Sequence, residues 1–284
     1  MTAHSPSHPP APPEPGQRAS WGNLHQGAQA LAAARAAEAF HGLTLVITNG
    51  MANAQRWRNQ LAFYLNSNPD GGAEMELLQF PDWETLAYDG FSPHQDIISE
   101  RLATLRRLPS LTRGILVVCV QTLLQRIAPR SYIDAHSLQL QVGQRFDLES
   151  ERRRLSEAGY VAAEVVSGRG EYAVRGSLVD VFPMGAMEPV RIDLLDDEVD
   201  SLRTFDPESQ RTIERIDSIN LLPAKEYPLD EQAIARFRNN WHETFNVDVR
   251  RCSIYQDVSA SIQPSGVEYY LPFFYPELGS LFDY

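Results

Sequence analysis

The sequence predicts an α/β domain built on a parallel sheet, joined to a distinct α+β domain. Two patterns carry that expectation. Up to about residue 136, near-continuous apolar strands such as "LTLVI" (43 to 47) and "ILVVCV" (115 to 120) alternate with helical periodicity, as parallel sheets buried on both faces require. From 137 to about 222 the strands "YAVRGSLVDVFP", "PVRIDLL", "VDSLRTFD" and "TIERIDSINLLP" follow one another without intervening helices, which predicts an antiparallel sheet. The 284 residues, 43% of them hydrophobic, are enough for two such cores.

Each element has its own signal. Residues 1–19 are rich in Pro, Ser and His, contain no apolar run, and read as a disordered leader in which His4 and His8 lack the company of a metal site. "GAQALAAARAAEAF" has strong helix propensity and feeds the strand "LTLVIT" (43 to 48). "MANAQRWRNQLAFYL" puts Ala54, Trp57, Leu61 and Leu65 on one helical face. The loop "NSNPDGG" leads to the strand "MELLQF", and the long loop "PDWETLAYDGFSPHQ" to the helix "DIISERLATLRRL" and the buried strand "GILVVCV". In the second domain "SLQLQV" alternates and "LESERRRLSEAGY" is one amphipathic helix. Beyond Pro223 comes the helix "LDEQAIARFRNNWHETF", and the chain stops at "GSLFDY" on an apolar segment without a stop signal, which reads as a truncation.

Composition excludes several functions. No apolar run approaches the roughly 18 residues of a membrane span. Cys119 and Cys252 are the only cysteines, which excludes a disulfide framework and makes a reducing cytoplasm the default. A net charge of −12 argues against a general nucleic-acid binder. No G-x-S-x-G elbow is present, and neither cysteine has a histidine close by in sequence. His94 precedes a helix, where a loop or capping role is the plainer reading.

"GNLHQGAQ" (22 to 29) has the glycine spacing of a phosphate-binding loop at Gly22 and Gly27, but Ala28 and Gln29 stand where lysine and a hydroxyl residue should. The single lysine of the chain is Lys225, so the usual machinery of ATP hydrolysis has no lysine to place on the phosphates. "VRIDLLDDE" superficially matches a magnesium-holding strand. Without a phosphate loop it reads better as a strand ending in a solvated acidic turn. In the loop 80 to 94, Trp83, Tyr88 and Phe91 have the flat faces that stack on bases, but no basic frame surrounds them and burial is the simpler expectation. Residues 137 to 222 carry 17 acidic residues and 10 arginines, yet Arg175 and Arg191 fall inside strands. A strand arginine is usually an exposed ladder residue, and its planar fork also suits a protein–protein anchor.

Four stretches, "GEYAVRGSLVDVFPMG", "RIDLLDDEVDSLRTFDPESQRT", "INLLPAKEYP" and "DWETLAYDGFSPHQDIISERLATLRRLP", together resemble the N-terminal region of the bacterial transcription-repair coupling factor (Mfd) family, itself similar to the excision-repair protein UvrB. The resemblance covers about 22 to 284. It implies a RecA-like α/β domain with a degenerate nucleotide site (20–136), an inserted α+β domain of the UvrB-interaction type (137–222), and a return to a second part of the first domain (223–284). It further implies that the inserted domain binds UvrA, with Arg175 and Arg191 as contacts and Leu195 at a third contact position that is often aromatic. RNA polymerase and DNA would engage other domains of such a protein, which also hold its ATP-driven translocase. For this segment the resemblance implies no catalytic residue, cofactor or metal. Two rivals stand beside it: a nucleotide-binding, helicase-like fragment, and a damaged-DNA binder working through residues 80 to 94.

Overall fold

Alanines at helical spacing shape the first part of the molecule. In the computed structural model, which describes residues 5–10, 14, 16–66, 75–87 and 89–284, the alanine-rich stretch forms α1 (Gln26–Ala39). Ala30, Ala34 and Ala37 are buried along one face of α1, and their small side chains let α1 lie against α2 (Met51–Asn66) through Ala54 and Leu61. The expectations placed on His4, Tyr88 and the loop at 67–74 lie outside the described residues.

Three strands, β1 (Leu43–Thr48), β2 (Glu76–Phe80) and β3 (Gly114–Cys119), form a parallel sheet in the order β1-β3-β2. The central strand is buried at every position, which is why its sequence is apolar without alternation. Ile115 and Val117 pack with the alanines of α1 and α2. After β3 the chain makes a short helix, α4 (Val120–Leu123), where Thr122 donates to Asp82 at 2.7 Å.

The chain divides into two units, Met1–Asp82 with Arg107–Gln125, and Trp83–Arg106 with Arg126–Tyr284. The second unit therefore takes in the aromatic loop and the helix after it, which the sequence pattern groups with the first domain. It contains α3 (Gln95–Arg107) up to Arg106, α5 (Arg130–His136), β4 (Leu138–Gln141), α6 (Leu148–Glu157), a six-stranded sheet and the helical C-terminal part. The sheet strands are β5 (Val161–Ala162), β6 (Glu171–Arg175), β7 (Leu178–Val181), β8 (Val190–Leu195), β9 (Glu198–Phe205) and β10 (Thr212–Ile216), side by side in sequence order. Every pairing is antiparallel except that of β5 with β6, so the expected antiparallel sheet has one parallel edge. A last strand, β11 (Ser218–Leu221), pairs with β4, and α7 (Glu231–Thr244) and α8 (Ser253–Ser259) follow.

The segment "LLPAKEYP" is a buried strap held by side chains. Tyr160 donates to the Leu222 carbonyl at 2.8 Å, Tyr132 to the carbonyls of Lys225 and Tyr227 at 3.2 and 3.1 Å, and Tyr275 to that of Glu226 at 2.9 Å. Burial pushes all three phenols well above their ordinary value, so they stay protonated donors. The Glu226 carboxylate accepts from Arg101 Nε at 2.6 Å and Trp83 Nε1 at 2.8 Å, and the Arg101 guanidinium lies 5.1 Å from the Trp83 ring centre. Two of the family-like stretches, the one bearing Trp83 and Arg101 and the one bearing Glu226, thus meet in one buried charge network.

Glu268 sits in the same unit and carries a pH prediction. Burial pushes its carboxyl above the ordinary glutamate value, against the lowering effects of the Ser92 hydroxyl, which donates at 2.9 Å, and of the Lys225 ammonium. A carboxyl with a raised folded pKa holds its proton longer in the native state. Stability therefore falls as pH rises from the ordinary glutamate value through the folded one. Glu268→Gln is expected to have a higher urea midpoint than wild type at pH 7, the gap closing below the ordinary glutamate value. Midpoints at pH 7 and pH 4 check this.

Candidate functional site

Two tight turns set the geometry of the exposed sheet face. Between β6 and β7 the turn is Gly176-Ser177, with Gly176 at φ +62°, the left-handed conformation that primed hairpin turns need at this position. It places Arg175 at the end of β6, opposite Leu178. Between β8 and β9 the turn is Asp196-Asp197, with Asp196 at φ 53°. The acidic run that superficially matched a magnesium site is this turn, and the Asp197 side chain is 65% exposed.

Register and alternation then decide what shares a face. Asp180 of β7 lies opposite Arg191 of β8, Arg191 opposite Arg203 of β9, and Arg203 opposite Arg215 of β10. One step along, Arg175, Leu178, Asp193 and Ser201 form a second row. Leu195 ends β8 on that face, 68% exposed, about 13 Å from Arg191 at ~3.3 Å per residue. The opposite face of the same strands carries Val179, Ile192 and Leu202 into the core.

Arg175 and Arg191, singled out from the sequence, converge on one carboxylate. The Asp180 side chain is 1% exposed, and its Oδ1 and Oδ2 accept from Arg191 Nε and Nη2 at 2.7 and 2.9 Å. Arg175 Nη2 also donates to Oδ2. The Arg191 guanidinium lies 4.7 Å from the ring centre of buried Phe205, and its hydrogen bonds to Asp180 push its pKa above the ordinary arginine value. Next to this pair, Asp193 accepts from Arg203 Nη2 and from the Ser201 hydroxyl. Arg175 is half-exposed while Arg191 retains 17% exposure, so the first offers its charge to solvent and the second an oriented edge. Arg175, Arg191 and Arg203 against Asp180 and Asp193 leave the arginine cluster itself positive in an acidic chain, suited to acidic groups, with exposed Leu195 and, opposite it, Glu198 at its edge.

Sequence reasoning missed Asp180, Asp193, Arg203 and Phe205. A signal was available at Asp180: one acid between two valines in "LVDVF" needs a buried cation, and the strands on either side supply two.

The other candidates are placed as follows. Gly22 lies in irregular chain just before the bend at Asn23, while Gly27, Ala28 and Gln29 are in the first turn of α1, and among the described residues no strand precedes that helix. The Gln29 side chain folds back to donate to the Leu24 carbonyl at 3.0 Å. Trp83 is buried and bonded to Glu226, as the burial reading expected, whereas Phe91 is exposed. His94 accepts from the Asp96 amide at 3.3 Å at the start of α3, the capping role expected of it. Among the described residues no helix is long and apolar enough to cross a membrane.

The model of the UvrB interaction domain matches residues 138–227, which span β4 to the buried strap and include Arg175, Arg191 and Leu195. The transcription-repair-coupling factor of Escherichia coli (strain K12) is 44% identical over 274 residues, covering 96% of this chain and 23% of that protein. That of Haemophilus influenzae is 43% identical over 278 residues, 97% of this chain and 24% of the relative. That of Myxococcus xanthus is 37% identical over 161 residues, 56% of this chain. The chain thus spans about a quarter of the length of the first two of these curated relatives. It is homologous to the N-terminal, UvrB-interaction-domain-containing region of the bacterial transcription-repair-coupling factors.

Proposed function

We propose that this segment is a recruitment module of transcription-coupled nucleotide excision repair, and that the arginine face of β6 to β9 docks UvrA. The observation that carries the reading is the convergence of Arg175 and Arg191 on a buried Asp180, on a sheet face that is covered at Ala173 and Phe205 and opens to solvent at Arg175 and Leu195. Such an arrangement holds two planar cations ready for carboxylates of a partner, with Leu195 supplying apolar area beside them. The segment itself would be non-catalytic. Other regions of a coupling factor would contact RNA polymerase stalled at a lesion and translocate on DNA at the expense of ATP.

Residues 20–136 are proposed as a RecA-like domain that has lost its nucleotide site, 137–222 as the inserted UvrA-binding domain, and 223–284 as the second part of the first. The parallel β1-β3-β2 sheet and the replacement of the phosphate-loop lysine and hydroxyl by Ala28 and Gln29 support that ancestry. A nucleotide-hydrolysing role is disfavoured further by Lys225, the single lysine, whose burial pushes its pKa down and whose carbonyl is bound by Tyr132 within the strap.

Titration of purified UvrA with the wild-type chain and with an Arg175→Ala plus Arg191→Ala variant tests the assignment. Truncating hydrogen-bonded interfacial charges costs about 2 kcal/mol or more, so the variant is expected to bind at least about thirtyfold more weakly. Equal binding by a folded variant overturns it.

A further inference from the structure

We propose that Asp180 is a positioning residue for the docking surface, holding Arg175 and Arg191 in the orientation the partner meets. The proposal rests on the docking reading above and goes beyond it, because it assigns the affinity to orientation at the expense of charge. Asp180 cannot itself reach a partner, being 1% exposed. Its two oxygens are both engaged by Arg191, and one also by Arg175. Phe205, fully buried, backs the Arg191 guanidinium from the ring face. Arg191 is thus fixed by a two-point fork and a stacked ring, and Arg175, from a strand two places away across the sheet, is tied to the same carboxylate. An arginine held this way loses little rotamer freedom when a partner binds.

The two views predict opposite signs for one substitution. Asp180→Asn removes a negative charge from beneath the surface. If net positive charge governs attraction to an acidic partner, the variant binds more tightly. If orientation governs, it binds more weakly, because an amide has one acceptor oxygen and a donor that opposes a guanidinium.

The experiment is a titration of UvrA with wild type, Asp180→Asn, Arg175→Ala plus Arg191→Ala, and the triple variant, with thermal melts to establish folding. Asp180→Asn is expected to weaken binding about tenfold, and to change it by less than about twofold once both arginines are absent. A merely structural role would weaken the triple variant by the same factor as the single one. The Arg191 Nε–H, hydrogen-bonded to Asp180 at 2.7 Å, is expected to give a slowly exchanging resonance in wild type and to lose it to fast exchange in Asp180→Asn. Wild-type or tighter binding by Asp180→Asn, with the arginine variant still impaired, overturns this inference alone. Unimpaired binding by the arginine variant overturns the docking reading beneath it. Should Asp180→Asn fail to fold, Phe205→Leu carries the test: about threefold weaker binding is expected, and unchanged affinity overturns the proposal.

Discussion

Replacing Glu226 with Ala is expected to cost about 3–5 kcal/mol of stability, read as a large fall in the urea midpoint of the chain. Arg101 and Glu226 have side chains with 0% exposure, and their contact is 2.6 Å. Neither ion pays for its burial alone. Removing the carboxylate takes from the buried guanidinium its Glu226 partner at 2.6 Å, and also leaves the Trp83 indole N–H without its 2.8 Å acceptor. Replacing both partners with apolar groups of similar size is expected to recover most of the loss, since the desolvation cost of the pair then disappears with its attraction. Urea denaturation of Glu226→Ala and of Arg101→Met plus Glu226→Leu measures the two. A double variant as unstable as the single one contradicts the charge argument.

The second large effect is expected at Gly266. It sits at φ +78° ahead of the 3-10 turn Val267–Phe273, and its amide donates to the Ser92 hydroxyl at 3.0 Å. A Cβ built there falls 2.3 Å from the Asp89 carbonyl oxygen, a backbone atom with no rotamer to yield. Gly266→Ala therefore combines the left-handed penalty of an L-residue with a clash that moves main chain. The expected cost is roughly 3 kcal/mol. Gly176→Ala is a useful contrast, because that glycine also has positive φ but nothing within 4 Å of the added carbon. It should lose only the conformational part, about 1 kcal/mol. Similar losses at the two sites in thermal or urea melts contradict the steric account.

How much of this was legible in the sequence depends on whether the signal was local. The buried strands β1 and β3 read directly from their apolar runs, and α2 from the spacing of Ala54, Trp57 and Leu61, because burial imposes period on sequence. The β8–β9 hairpin was legible through the Asp196-Asp197 pair, since turn chemistry is local too, whereas the single strand expected over "YAVRGSLVDVFP" is in fact β6 and β7, turned at Gly176-Ser177. The seven-residue helices α5 and α8 and the two-residue β5 were not anticipated, being too short for a periodic pattern. "LLPAKEYP" looked like the end of a strand region. Only the fold reveals that three distant tyrosines bind its carbonyls. Arg175 and Arg191 were named by resemblance, and residue type alone left them as ladder arginines. What joins them, Asp180, is set by the pairing of β7 with β8, which no short sequence window contains.

The docking claim is tested most directly by asking where UvrA touches the chain. A photo-crosslinking p-benzoylphenylalanine in place of Leu195 is compared with one in place of Phe63 on α2. The two native side chains are similarly open, at 68% and 65% exposure, so accessibility alone cannot favour either. Position 195 is predicted to crosslink to UvrA, with the yield abolished by Arg175→Ala plus Arg191→Ala, and position 63 is predicted to stay silent. Crosslinking from position 63 with none from position 195 would contradict the assignment of the arginine face.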